Sequence, residues 1–170
     1  ALSFDGLNDY VEFDDYSEDL GINKTDDLIY SIWFKSESTE DGLIYSASDK
    51  WGISNPELSI QLCANGSLLF KIWTQYCGIQ LYSDKTYNNN NWRHLEIFFN
   101  GISANPTVTI YVDGIFDNNL TEWLCPIASN EFSLTKIGRR AYDETKHFDG
   151  SIDDFKIIKY PGGNKQEPPI

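Results

Sequence analysis

The chain has 170 residues, 15% of them aromatic and 23% charged, with a formal net charge of −13 and a pI of about 4.4. That length and composition suit one folded domain with a sizeable core and exclude a disordered chain. A field of that sign repels the phosphate backbone of nucleic acid and anionic membrane surfaces, and no stretch is apolar enough to span a bilayer, so neither nucleic acid nor membrane insertion is expected.

Strand signals dominate from the first residues. Strands are predicted over Tyr10–Phe13, Leu28–Lys35, Gly42–Ser46, Leu58–Leu62, Leu68–Trp73, Gly78–Tyr82, Trp92–Phe99, Thr107–Val112, Phe132–Ile137 and Ser151–Lys159. They are short, aromatic and β-branched, and are bounded by Gly, Asn, Asp and Pro. No window keeps a helical period. Ala64-Asn65-Gly66-Ser67 reads as a hairpin whose Asn-Gly supplies positive φ angles, and Asp113-Gly114 reads as a second. The run Asn88 to Asn91 reads as a loop. The two ends, Ala1 to Phe13 and Phe148 to Tyr160, each hold a short apolar strand interrupted by Asp and Gly, as expected of two strands closing one sheet. The expected fold is all-β, a two-sheet antiparallel jelly-roll sandwich over residues 1–160, with the Pro- and Gly-rich residues 161–170 as a linker.

Period-two alternation assigns the faces of the central strands. Leu58, Ile60 and Leu62; Leu68, Phe70 and Ile72; Ile79 and Leu81; Leu95, Ile97 and Phe99; and Val108, Ile110 and Val112 are predicted to point into the core. The opposite faces carry Gln61, Lys71, Trp73, Gln80, Tyr82, His94, Glu96 and Tyr111. If the strands lie side by side, these eight share one face that mixes aromatic rings with hydrogen-bonding groups. Such a mixture suits a sugar, whose C–H face covers a ring while its hydroxyls bond amides and carboxylates. The alternative is an ordinary solvated sheet face.

The remaining signals are weaker. Cys63, Cys77 and Cys125 leave at least one thiol unpaired within the chain, and a Cys63–Cys77 disulfide is possible. Three Asn-x-Ser/Thr sequons, at Asn23, Asn65 and Asn119, are weak evidence of secretion. The absence of Met is expected of a mature or excised chain. Trp51, Trp123 and Tyr142 offer a second surface on rim loops. Arg139-Arg140 either binds an anionic group through its forked donors or neutralises Asp143 and Glu144.

Six segments, in order, resemble the laminin-G-like, concanavalin A-like lectin/glucanase jelly roll, close to its pentraxin-like branch. They are Leu2-Ser3-Phe4-Asp5-Gly6 with Asp9-Tyr10-Val11, Ser31-Ile32-Trp33-Phe34, Trp92-Arg93-His94, Ile110-Tyr111-Val112-Asp113-Gly114, Lys136-Ile137-Gly138, and Phe148-Asp149-Gly150-Ser151-Ile152-Asp153-Asp154-Phe155. The resemblance implies two packed antiparallel sheets, often with a structural Ca²⁺ and often with glycan binding. The positions it implies for the metal are Asp5, the Gly42 carbonyl and Asp153, with Asp154 as the alternative to Asp153. Oxygen donors of these kinds suit calcium; turn caps are the other use for such carboxylates.

The superfamily also holds glycoside hydrolases, whose retaining members need two carboxylates about 5 Å apart. Here Glu96 stands alone on its strand, flanked in phase by His94 and Phe98, so a hydrogen-bonded structural His94–Glu96 pair is expected rather than catalysis. The expected function is a non-catalytic recognition module of a larger extracellular, surface or virion protein, binding glycan or polysaccharide. A structural or adhesion jelly roll contacting a protein partner is the alternative, and a divergent glycoside hydrolase is the third reading.

Overall fold

The computed structural model describes residues 1–14, 27–48, 57–73, 77–100, 105–122, 134–143 and 145–160. They form twelve strands: β1 (Leu2–Asp5), β2 (Val11–Asp14), β3 (Asp27–Lys35), β4 (Gly42–Ser48), β5 (Glu57–Leu62), β6 (Ser67–Trp73), β7 (Gly78–Thr86), β8 (Arg93–Asn100), β9 (Thr107–Val112), β10 (Ile115–Thr121), β11 (Leu134–Ile137) and β12 (Asp149–Tyr160). None of the described residues is helical, so no helix among them is long and apolar enough to cross a membrane. Two six-stranded sheets result, sheet I in the order β1-β12-β3-β8-β9-β10 and sheet II in the order β2-β11-β4-β5-β6-β7. Every pairing is antiparallel. This is the two-sheet jelly-roll sandwich expected from the strand pattern.

The alternation places the core as predicted. Each apolar alternate assigned inward on β5 to β9 is buried, from Leu58 through Val112. Rings from the two sheets meet between them: Tyr30 of β3 lies 5.5 Å from Tyr45 of β4, and Phe70 of β6 lies 5.7 Å from Phe99 of β8. Each such ring removed from water contributes roughly 1.5–3 kcal/mol, so the interlayer aromatics are a main source of cohesion.

The ends close one sheet. β1 pairs with β12, with Phe4 opposite Gly150 and Asp5 opposite Asp149. Gly138 makes this closure possible. Its φ of +92° is a left-handed value, and a Cβ there would stand 2.4 Å from the buried Phe4 ring. In β12 a bulge between Asp153 and Lys156, with Asp154 at φ 45°, inserts one residue and keeps Ile152, Phe155 and Ile157 turned toward the core.

A polar clasp joins the sheets at the other edge. The bulge in β10 between Phe116 and Asn118 turns Asp117 inward. Its carboxylate accepts the Asp84 N–H at 2.6 Å and the Tyr87 hydroxyl, while Asn118 Nδ2 donates to the Tyr82 carbonyl at 2.9 Å. Burial, followed by the Asp117 hydrogen bond and charge, pushes the Tyr87 phenol well above its usual range.

Three expectations are corrected. The first and tenth strands, Leu2–Asp5 and Ile115–Thr121, were not among the strands predicted by span. The β5–β6 connection has positive φ at Gly66 alone; Cys63 to Gly66 close a turn that Gly66 finishes at φ 86°, and Asn65 instead accepts from Ser67 N–H and hydroxyl. Cys63 is a free buried thiol and Cys77 is disulfide-bonded, so the two are not joined. Cys125, Trp51, Trp123, Asn23, Glu144 and residues 161–170 lie outside the described residues.

Candidate functional site

Because Tyr30, Ile32 and Phe34 of β3, Leu95, Ile97 and Phe99 of β8, and Val108, Ile110 and Val112 of β9 are buried in the core, their alternates form the outer face of sheet I. Register sets these alternates in rows across the strands. One row runs Asp153, Trp33, His94. The next runs Lys156, Ser31, Glu96, Tyr111, Phe116. A third holds Ile158, Ile29, Phe98, Thr109 and Asn119.

The rings on this face support one another and remain open to solvent. Trp33 stacks on His94 at 4.9 Å and 21°, and Tyr111 meets Phe98 and Phe116 edge-on at 5.5 and 5.9 Å. Trp33 is 38% and Phe116 50% exposed, and Glu96, Phe98 and Tyr111 are half-buried. The His94 Nε2 lies 2.9 Å from Ser31 Oγ, which fixes the imidazole against Trp33. The hydrogen bond expected between His94 and Glu96 is not formed; among the described residues the Glu96 carboxylate has no hydrogen-bond or ion-pair partner.

The face continues past Trp33 to a row of Ser3, Ser151 and Lys35, where the Lys35 ammonium lies 5.6 Å over the exposed Trp92 ring. Beyond that row is a polar cleft of about 220 Å³, lined by Lys35, Glu37, Asn90 and Asp149 among others. Its wall is held by Ser36, which donates to the Asp149 carbonyl at 2.6 Å and accepts the Asn90 N–H on its own carbonyl at 2.8 Å. Flat rings next to an unpaired carboxylate, an imidazole and a rim of hydroxyl and amide groups offer a sugar both apolar and hydrogen-bonding contacts.

The outer face of sheet II differs in kind. Ser46, Ser48, Glu57, Ser59, Gln61 and Lys136 are all at most 6% exposed there. Residues 138–143 and 145–147 lie over these strands: Ala141 N–H bonds Ser46 Oγ at 3.2 Å, Arg140 Nε stands 3.4 Å from Glu57, and Lys146 Nζ reaches Gln61 Oε1 at 2.9 Å. Lys71 closes on the same Glu57 at 2.7 Å. Arg140 also pairs with Asp143, and Arg139 lies 3.7 Å from the Tyr10 ring centre, so both arginines are engaged within the fold. Tyr142 is exposed beside Arg140.

The eight residues expected on one face therefore divide between two. Gln61, Lys71, Trp73, Gln80 and Tyr82 belong to sheet II, and His94, Glu96 and Tyr111 to sheet I, on the opposite side of the sandwich. Gln61 and Lys71 lie in the salt-linked layer under residues 138–143 and 145–147. Trp73, Gln80 and Tyr82 are exposed near the β7 edge, with the Trp73 ring packed close against Gly78. Trp33, Phe98 and Phe116, which sequence reasoning did not select, complete the open face.

The metal set does not converge either. Asp5 faces Asp149, and Asp153 lies at the far end of β1, with a carboxylate oxygen 3.3 Å from the Ala1 nitrogen. Four residues of strand separate the two acids by about 13 Å, whereas one calcium ion holds its ligands at about 2.3–2.6 Å. Asp154 is one residue further on and pairs with Lys156. Gly42 packs against Phe148 near the Asp5 end. Asp5 already accepts the N–H groups of Leu7 and Asn8, and these bonds hold its carboxyl below the usual Asp value. Among the described residues no three His, Cys, Asp or Glu side chains are grouped to hold an ion. Asp5, Gly42 and Asp153 do not converge on one calcium ion, so the double variant Asp5→Asn, Asp153→Asn should leave any difference in Tm between EDTA and millimolar calcium, read by circular dichroism, the same as in the wild type. A rise in Tm with calcium that survives both substitutions would show a site built from other residues.

Comparison with known proteins places this geometry in a family. The concanavalin A-like lectin/glucanases superfamily, in its laminin G-type family, matches residues 5–162. Laminin G domains 4–5 of the mouse laminin α1 chain superpose with a TM-score of 0.66 at 14% identity, over 93% of this chain and 41% of that one. Domain 4 of an extracellular arabinanase from Geobacillus stearothermophilus, solved with arabinotriose, gives 0.64 at 16% identity, over 92% and 69%. A heptameric pentraxin from Limulus polyphemus gives 0.61 at 15% identity, over 91% and 73%. The chain thus spans well under half of the laminin chain and shares with all three the fold. No curated protein sequence matches. The chain belongs to the laminin-G-like family of the concanavalin A-like lectin/glucanases superfamily.

Proposed function

We propose that this domain is a non-catalytic recognition module that binds glycan on the outer face of sheet I, as part of a larger extracellular, surface or virion protein. The observation that carries the reading is the contrast between the two outer faces. Residues 138–143 and 145–147 cover the β4 and β5 part of sheet II and leave Trp73 and Tyr82 open only at its β7 edge, while sheet I presents Trp33, Tyr111 and Phe116 around an unpaired Glu96. The arabinanase domain solved with arabinotriose supports glycan as the ligand class at the level of shared fold.

Catalysis has no support in the face itself. The cross-strand neighbours of Glu96 are Ser31 and Tyr111, and its in-phase neighbours are His94 and Phe98. None is a carboxylate, so the second acid of a glycosidase is missing beside it. A glycan array tests the binding reading and release of reducing ends from polysaccharide tests the catalytic one. Binding without product release is expected; a blank array would remove the glycan reading. A second reading, protein contact, draws on the exposed Phe116 and Ile158 of the same face. It predicts self-association in light scattering or a protein partner competing at this surface.

A further inference from the structure

We infer that the face selects against acidic glycans, and that Glu96 is the residue that imposes the selection; the inference rests on the glycan reading above. The argument is one of unbalanced charge. Glu96 sits in the middle row with Ser31 and Tyr111 beside it, half-buried and without a cationic partner among the described residues. A sugar stacked on Trp33 or Tyr111 lies against this carboxylate.

The other charges do not reverse its sign. Lys156, in the same row, is held by Asp154 at 2.6 Å. Lys35 covers Trp92 at the end of the face, about 13 Å along the strands from the Glu96 row, and shares the cleft there with Glu37 and Asp149. The Arg93 guanidinium pairs with Asp113 at 2.8 Å. The molecule as a whole carries −13. A uronate, sialate or sulfate group would meet a local carboxylate and a repulsive field together, and the partial desolvation of the ring face strengthens the local contact. An uncharged hydroxyl donates to the same carboxylate, and an ammonium group pairs with it. The ligand class is therefore glycan free of acidic groups, whether neutral or amine-bearing.

The test is an array of neutral, amine-bearing, carboxylated and sulfated glycans at low salt, followed by titration of matched neutral and carboxylated oligomers of the same linkage. Wild-type protein should bind the acidic member at least tenfold more weakly, with the gap shrinking as salt is raised. Glu96→Gln, which keeps the side chain's size and one acceptor oxygen but removes the charge, should narrow the gap to under threefold, and an unchanged melting curve would show that the variant is folded. Equal or tighter binding of acidic glycans by the wild type overturns the inference and leaves the glycan reading standing. Selectivity unchanged by Glu96→Gln overturns the role given to Glu96. A blank array overturns the glycan reading and this inference with it.

Discussion

Trp33→Ala should weaken glycan binding about tenfold or more, Tyr111→Ala should do the same, and the double variant should lose at least about a hundredfold, measured by calorimetric titration. Each ring that a sugar covers contributes on the order of 1.5–3 kcal/mol of apolar burial, and every 1.4 kcal/mol is tenfold in affinity. The two positions are two strands and two residues apart, about 12 Å, far enough for the losses to add. Neither substitution opens the core, because both side chains stand on the outer face and Trp33 is already 38% exposed. Trp73→Ala is the control. That ring is as exposed as Trp33 but lies on sheet II, so its removal should leave affinity unchanged. The opposite result, binding lost with Trp73 and kept without Trp33, would move the site to the other side of the sandwich.

That control marks the boundary between what was legible in the sequence and what was not. Inside and outside were legible, since alternation at period two reports directly whether a side chain faces the core. Val108, Ile110 and Val112 against Thr109 and Tyr111 is a clear case, and the structure agrees. Sheet membership was not legible, because the alternation is the same in either sheet. The chain leaves sheet II at Thr86 and enters sheet I at Arg93, and the Asn88 to Asn91 loop that carries the crossing reads only as a loop. Taking β5 to β9 as neighbours joined two faces that point in opposite directions. Trp33 could have been found, because Ile29, Ser31, Trp33 and Lys35 alternate as plainly as the strands that were used.

Burial of polar groups was the other gap. Gln61 was assigned to the outer face, and on β5 Glu57 and Ser59 share its phase. What covers them is a segment about eighty residues further along the chain, whose Arg140 and Lys146 reach back to Glu57 and Gln61. No local pattern reports a cover of that separation. The residues named for a metal stay apart for a related reason. Asp5 and Asp153 lie on paired strands, but antiparallel register sets Asp5 against Asp149 and sends Asp153 to the far end. The Asp117 clasp was invisible because β10 was not predicted beyond its Asp113-Gly114 turn, and because the inward carboxylate depends on a bulge.

Glu57→Ala should lower stability by about 2–3 kcal/mol and the Tm by roughly 5–10 °C, while leaving glycan affinity unchanged well below the melt. The Glu57 side chain is 7% exposed and stands between two cations, with Lys71 at 2.7 Å and Arg140 at 3.4 Å. Removing it leaves the half-buried Lys71 without its anion and Arg140 with Asp143 alone, which costs more than the net worth of the pair. Lys71 and Arg140 keep 22% and 18% of their side-chain surface, so solvent screens part of that penalty and the estimate stays below the range for a fully buried pair. Replacing all three with apolar residues of similar volume should recover most of the loss, since no unpaired charge then remains buried. The cost would fall on the anchoring of residues 138–143 and 145–147, not on sheet I. Loss of glycan binding in Glu57→Ala with stability intact would mean that sheet II, despite its cover, carries the ligand.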